Sequence, residues 1–192
     1  MKPTTAVLRK SDYVVKTVPL LTCQELIAKH HYAKTGSNTA TFRHGLFLNS
    51  EPEKCLGVAW WIPPTKSAAL ANYPRNWQAV LVLSRLVVCP EVPKNGASFL
   101  IMQSVRLIKK DLRWECLLTY ADTWQRHTGA IYKATNWEQC GKTTPEAVWL
   151  DKDDRLVSRK AGPHTKTKAE MLALGYRMIG RYSRLRFRMK LR

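Results

Sequence analysis

Arg85 stands inside the most apolar stretch of the chain, Ala79-Val80-Leu81-Val82-Leu83-Ser84-Arg85-Leu86-Val87-Val88. A charge there is costly unless it is paired. It therefore either forms a buried ion pair, with Asp122 as partner, or holds the carboxyl, carbonyl or phosphate of a ligand. Asp122 closes the next apolar run, Cys116-Leu117-Leu118-Thr119-Tyr120-Ala121-Asp122. Ligands of open α/β sheets bind beyond the carboxyl ends of strands, so Asp122 is placed to accept a proton or orient a ligand, unless it only caps the following turn. Ser98 falls at a helix start, where it either caps the helix or binds a ligand beside the first amides. His31 and Tyr32 fall at the end of the first helix, and Tyr132 falls on a short one, where a tyrosine is often core. His30, His31, His44 and His127 show no i, i+4 pairing with a carboxylate that would mark a metal site; no metal is assigned, and iron is the first to test.

These side chains need a framework, and the hydrophobic pattern supplies one. Tyr13 to Val18 is β-prone, and Thr22 with Glu25 has the spacing of a capping box opening a helix through about Tyr32. Thr41–Leu48 and Cys55–Ile62 flank the turn-forming Asn49-Ser50-Glu51-Pro52-Glu53-Lys54 and predict an antiparallel hairpin. Residues 65–79 predict a short helical or irregular insertion. The run 79–88 reads as a central strand covered on both faces. Leu100, Ile101, Val105, Leu107 and Ile108 repeat at helical spacing and predict a helix from about Ala97 to Lys110. Residues 116–120 predict a strand, 127–135 a short helix and 137–143 another strand. Met178 to Leu191 alternates apolar with basic residues and predicts one last strand with a basic face. Asp151 to Lys168 reads as a polar surface loop. The fold class is α/β: a mixed central sheet with helices on both faces, in one domain spanning residues 1–192.

The charge identifies the kind of partner. The chain carries 32 Lys and Arg against 14 Asp and Glu, a formal net charge of +18, whereas about 8 is ample for solubility of a small domain. A polyanion is the expected partner, because each neutralised phosphate releases condensed counterions. The basic groups singled out are Arg155, Arg159, Lys160, Lys166 and Lys168, then Arg184, Arg186 and Arg188 in the last strand. Five scattered cysteines with no C-x-x-C pair read as reduced thiols. With no signal-peptide pattern and no apolar run of membrane length, a cytoplasmic protein that does not meet the membrane is expected.

The element order, with a Gly-containing turn between central strand and helix, resembles the GNAT acetyltransferase fold. Residues 79–110 resemble its donor-binding motif, and Ala130-Ile131-Tyr132-Lys133-Ala134-Thr135-Asn136-Trp137 resembles the pattern that follows, with Asn136-Trp137 in place of Gly-Phe. A narrower set is similar to the Mom family of phage adenine-modification proteins: Leu83-Ser84-Arg85-Leu86-Val87-Val88, Ala97-Ser98-Phe99-Leu100, Thr119-Tyr120-Ala121-Asp122-Thr123, His127-Thr128-Gly129-Ala130-Ile131-Tyr132, and His30-His31-Tyr32.

The resemblance implies an enzyme that converts adenine in a double-stranded phage genome to N6-carbamoylmethyladenine, shielding it from restriction. Arg85, Ser98, Asp122 and Tyr132 would be catalytic, with Asp122 facing N6 and Tyr132 protonating a leaving group. His31, Tyr32 and Arg85 would hold an extruded base, and Lys94, Asn95, Gly96, Ala97 and Ser98 the donor. Ordinary members of the fold carry two or three glycines in that turn, where this chain has one. The donor is left open between acetyl-CoA, an aminoacyl-tRNA and a free metabolite, so tRNA stands beside DNA as a partner and a homodimer stays open. Two other readings are an ordinary N-acetyltransferase acting on a protein or small amine, and a non-catalytic nucleic-acid-binding protein.

Overall fold

The computed structural model describes residues 6–34, 40–161 and 163–192. The chain opens with β1 (Tyr13–Thr17), α1 (Leu20–His30), the hairpin β2 (Phe42–Leu48) and β3 (Glu51–Ile62), and α2 (Lys66–Asn72). A 3-10 segment (Pro74–Ala79) leads to β4 (Val80–Val88), α3 (Gly96–Ile108), β5 (Cys116–Asp122), α4 (Ala130–Lys133) and β6 (Glu138–Lys142). The rest is β7 (Glu146–Leu150), β8 (Leu156–Val157), β9 (Lys160–Ala161), β10 (His164–Thr165), α5 (Lys168–Ala173), β11 (Arg177–Tyr182) and β12 (Arg184–Lys190).

Seven strands form the main sheet in the order β1-β2-β3-β4-β5-β12-β6. All neighbours are antiparallel except β4 and β5, which run parallel. The strict alternation of side chains decides what each face buries. On one face Ala59 and Trp61 of β3, Leu81 and Leu83 of β4 and Leu117 of β5 meet Leu100, Ile101, Val105 and Ile108 of α3. Trp137, Tyr132 and Phe187 extend that core. On the other face Val58, Trp60 and Val87 meet Cys23 and Ile27 of α1, and Val80, Cys116 and Leu118 meet Ala69 of α2. The expected mixed sheet between two helical layers is what forms.

One polar group is sealed into the first core. The Trp61 indole N–H donates to Ser104 Oγ at 2.7 Å, and Ser104 Oγ lies 2.7 Å from His44 Nδ1; all three residues are buried.

Four sequence expectations shift. Helix α1 starts at Leu20 behind Pro19, so Thr22 and Glu25 lie inside it and no side chain caps it. The turn of the β2–β3 hairpin tightens to Asn49-Ser50, and β3 absorbs Glu51 to Lys54. The single last strand is two: β11 and β12 break at Ser183 and join different sheets, because β11 pairs with β7 in a second sheet of order β11-β7-β8. The stretch 151–168 also contains β8 and a small hairpin of β9 with β10. All five cysteines are free thiols, and burial pushes Cys23 up to about 12 and Cys116 up to about 11. Among the described residues no helix is long and apolar enough to cross a membrane.

Candidate active site

The only parallel seam of the main sheet opens partway along its length. Strands β4 and β5 pair from Val80↔Cys116 to Leu83↔Thr119. At Ser84 the pairing of β4 with β3 slips by one residue, passing from Trp61↔Leu83 to Trp60↔Arg85. Such a bulge bends a strand and re-aims its side chains; beyond it, β4 and β5 carry on without a parallel register. The gap is a cleft of about 370 Å³. Its walls include His31, Tyr32, Ser84, Leu86, Tyr120, Arg126, His127, Gly129 and Tyr132.

The bulge also decides which face Arg85 serves. Opposite Trp60, it points to the α1 layer, where α1 ends at His30 and delivers His31 and Tyr32. Asp122, three residues past the end of the parallel seam, reaches the same place: Tyr32 donates its phenol proton to Asp122 Oδ2. Arg184 of β12 lies opposite Asp122 and brings Nε to 3.7 Å from Oδ1. The two oxygens of this carboxylate are thus held by different elements. Arg184 also bridges to Glu146 at the start of β7.

Arg85 donates to the Ser84 carbonyl at 2.8 Å. Burial lowers its pKa, while the charges of Tyr32 and Asp122 act against that loss. Its charge is felt by Tyr32, Asp122 and His31; like Asp122, it is not among the residues lining the cleft, whereas its neighbours Ser84 and Leu86 are.

Electrostatics fix the protonation states. Burial, then the bond to Asp122, pushes the Tyr32 phenol well above its usual range, so it stays a donor. Burial, then the nearby Arg85 cation, lowers His31 to about 4. The imidazole is therefore neutral near pH 7. Its Nδ1 lies 3.0 Å from the Ala33 backbone nitrogen and 3.2 Å from the Ala33 carbonyl oxygen, which ties the ring to the turn after α1. Aromatic groups close the wall: His31 stacks on Tyr32 with centroids 4.3 Å apart, and Trp124 and His127 meet Tyr32 edge-on at 5.6 and 5.9 Å.

Tyr132 lines the cleft from the α3 side, where burial raises its pKa against a hydrogen bond with Thr119. Its helix starts at Gly129, whose φ is +72° and whose missing Cβ would lie 2.1 Å from Phe187 Cζ. Gly129→Ala is expected to cost about 2–4 kcal/mol, combining left-handed strain with overpacking. A melting curve checks this; an unchanged midpoint would show that Phe187 yields freely.

Sequence reading missed Arg126, whose left-handed φ of +58° sets it in the cleft wall. A non-glycine residue in that region often marks a functional turn, but the angle is invisible in sequence. His127 enters the sequence reading only as a possible metal ligand and within a family motif, and Trp124, edge-on to Tyr32, is not singled out by it. Among the described residues no group of three or more His, Cys, Asp or Glu stands together that could hold a metal ion, so iron finds no ligand set there.

Ser98 does not join this group. Its Oγ donates to the Asn95 carbonyl at 2.9 Å, closing the first turn of α3, and it is not among the residues lining the cleft. The rest of the presumed donor turn is also engaged within the protein. Lys94 N–H donates to Ala6 O at 3.0 Å and Lys94 O accepts from Leu8 N–H at 2.9 Å. The space beside Gly96 is filled by Val92, whose Cγ1 would lie 2.1 Å from an added Cβ. This glycine serves packing, not the close approach of a ligand. Asn95, in a left-handed conformation, and Ala97 complete the turn. The residues present do not make a glycine-lined cradle for coenzyme A.

The basic groups divide. Arg184 holds Asp122 and Glu146, Arg188 pairs with Glu138 at 3.0 Å, and Arg186 donates to the Cys140 carbonyl at 3.1 Å. Far from presenting a bare basic face, β12 lies between β5 and β6 with its arginines engaged. Arg155 pairs with Asp153 at 3.4 Å, while Arg159, Lys160 and Lys168 are exposed and Lys166 is partly so.

Over residues 12–191 the sequence matches the model of the Mom protein family. The chain belongs to the Mom protein family. Solved structures similar to it are N-acetyltransferases of low identity, which show the fold. The spermidine N-acetyltransferase of Vibrio cholerae, in complex with CoA and spermine, superposes with a TM-score of 0.57 at 10% identity, covering 94% of this chain and 96% of its own. An N-acetyltransferase from Staphylococcus aureus Mu50 gives 0.57 at 12% identity, with 94% and 99% covered. The ribosomal-protein-S18-alanine N-acetyltransferase of Escherichia coli gives 0.52 at 10%, with 93% and 94% covered. No curated protein matches the sequence. The Mom-family chain thus has the GNAT acetyltransferase fold, and its cleft lies where β4 and β5 part.

Proposed function

We propose that this Mom-family protein transfers a small group to the N6 amino group of adenine in DNA, with N6-carbamoylmethyladenine as the product that the family resemblance implies. The observation that carries the proposal is the Tyr32–Asp122 pair, whose Tyr32 lines the cleft together with His31 and His127. Adenine N6 is a weak nucleophile because its lone pair is delocalised into the ring, so an enzyme must orient it and take up its proton as the new N–C bond forms. Asp122 takes that proton. Tyr32 holds one carboxylate oxygen and Arg184 approaches the other, which fixes the carboxylate. Arg85 stabilises negative charge on the electrophile, and Tyr132, on the opposite wall, returns a proton to the leaving group.

A base inside a duplex cannot reach such a cleft, so the adenine leaves the stack at a cost of a few kcal/mol. Rings along the wall offset that cost by stacking, worth about 1–3 kcal/mol per base. The donor need not lie as coenzyme A does, since the turn before α3 is closed by the protein's own contacts. Nucleosides from cells expressing the protein test the reading by mass spectrometry. A heavier deoxyadenosine supports it. Acetylated protein or polyamine in its place would point to the ordinary acetyltransferase, and no modified product at all to a binding protein.

A further inference from the structure

The arginine-rich end of the chain offers less free charge than its sequence suggests. With Arg184, Arg186 and Arg188 turned to partners of their own sheets, the positive charge not spent internally has to be sought elsewhere. One stretch that carries it is the small hairpin of β9 and β10. Between Arg155 and Glu170 the chain has no acidic residue and carries Arg159, Lys160, Lys166 and Lys168, with His164 among them.

The hairpin is ordered by contacts that leave those charges outward. Its strands pair as His164↔Ala161 and Thr165↔Lys160. Its base is closed twice: Lys166 N–H donates to Arg159 O at 2.8 Å, and Arg159 Nε donates to Lys166 O at 2.8 Å. The carboxylate of Glu170 is engaged by His164 and by the Thr167 backbone N–H of the α5 capping box. Lys168 then occupies the first position of α5, where the helix dipole favours an anion and a lysine is mildly destabilising.

We propose that this hairpin is the arm by which the protein grips the phosphate backbone of duplex DNA, while the arginines of β12 serve the fold and the site. The inference rests on the DNA reading above. A two-stranded β ribbon fits the major groove of B-DNA, about 12 Å wide, with its flanking lysines on the phosphates. The arm follows directly from β8, whose partner β7 begins at Glu146, and Arg184 joins Glu146 to Asp122. No residue of the arm lines the cleft.

The test measures binding of the full protein to a 30-base-pair DNA duplex across a range of salt concentrations. Two double variants remove the same charge: K160Q/K168Q in the arm and K109Q/K110Q after α3. If both arm lysines contact phosphates, the slope of log affinity against log salt falls by about 1.8, which is about 60-fold in affinity at 0.1 M salt. The α3 pair changes affinity by no more than a few-fold. Equal effects of the two pairs, an unchanged slope for the arm pair, or a loss seen with tRNA but not with DNA would each overturn the proposal. Modified adenine made by the wild type, with an unchanged slope for the arm pair, rejects the arm and leaves the enzyme. No modified adenine, with the slope reduced, rejects the enzyme and leaves the arm.

Discussion

Asp122→Asn is expected to lower the yield of modified adenine by about 10²- to 10⁴-fold, the usual contribution of a positioned proton acceptor. The substitution is nearly isosteric. Its side-chain oxygen still accepts from Tyr32, which donates to Asp122 Oδ2, so the wall of the cleft keeps its shape. What it loses is the basic oxygen and the attraction of Arg184 at 3.7 Å, a half-exposed pair of small value to stability. Melting should shift little, and DNA binding should be unaffected. Arg85→Ala should likewise abolish product with binding retained, because no phosphate-gripping role is assigned to a side chain half-buried under α1. If both variants still make the modified nucleoside at the wild-type level, the site assignment is wrong, whatever reaction the protein performs. If either loses DNA binding along with activity, the residue belongs to the grip and not to the chemistry.

The pair behind this prediction was half legible. Asp122 could be placed because a seven-residue apolar run has to end somewhere and ligands gather at carboxyl ends. Arg85 could be singled out because a charge in a central strand demands a reason. That Tyr32 would bond to Asp122 could not be read, since the two are 90 residues apart and only the fold brings the residues after α1 to the end of β5. The cleft itself was equally hidden. It depends on a one-residue slip at Ser84, and a continuous apolar run looks the same with or without a bulge.

The internal partners of the last strand's arginines were hidden for a related reason. Period two showed correctly that Arg184, Arg186 and Arg188 share a face. It could not show that Asp122, Glu138 and Glu146, on three other strands, would come to meet two of them. Nor does alternation report a strand changing sheets: Ile179 and Leu185 fit one pattern although Ser183 separates β11 from β12. By contrast, β4 and α3 were plain, because deep burial writes itself into composition.

The second large effect is loss of stability in mild acid. Burial lowers both His31 and His44 from 6.5 to about 4. Above pH 6.5 each is neutral whether the chain is folded or not, and the full stability is present. As pH falls from 6.5 toward 4, the unfolded chain takes up a proton at each histidine that the folded protein refuses. Each therefore subtracts about 1.4 kcal/mol per pH unit, or about 3 kcal/mol across the window. Two such groups are comparable to the whole stability of many domains, roughly 5–15 kcal/mol.

At His44 the resistance has a visible structural cause. Ser104 Oγ accepts the Trp61 indole proton and lies 2.7 Å from His44 Nδ1, in a core where all three residues are buried. Burial is the cause of the lowered affinity for a proton: an imidazolium in that sealed core would give up its hydration with no anion to replace it. His44→Gln keeps an acceptor for Ser104 and cannot titrate. Urea unfolding at pH 7.5, 6.0 and 4.5 should show the variant weaker than wild type at pH 7.5 but with a pH slope smaller by about 1.4 kcal/mol per unit below pH 6. The two curves then converge in acid. Parallel curves would mean that His44 keeps an ordinary affinity for protons in the folded state, and that the buried Trp61-Ser104-His44 chain tolerates a charge that its geometry says it should reject.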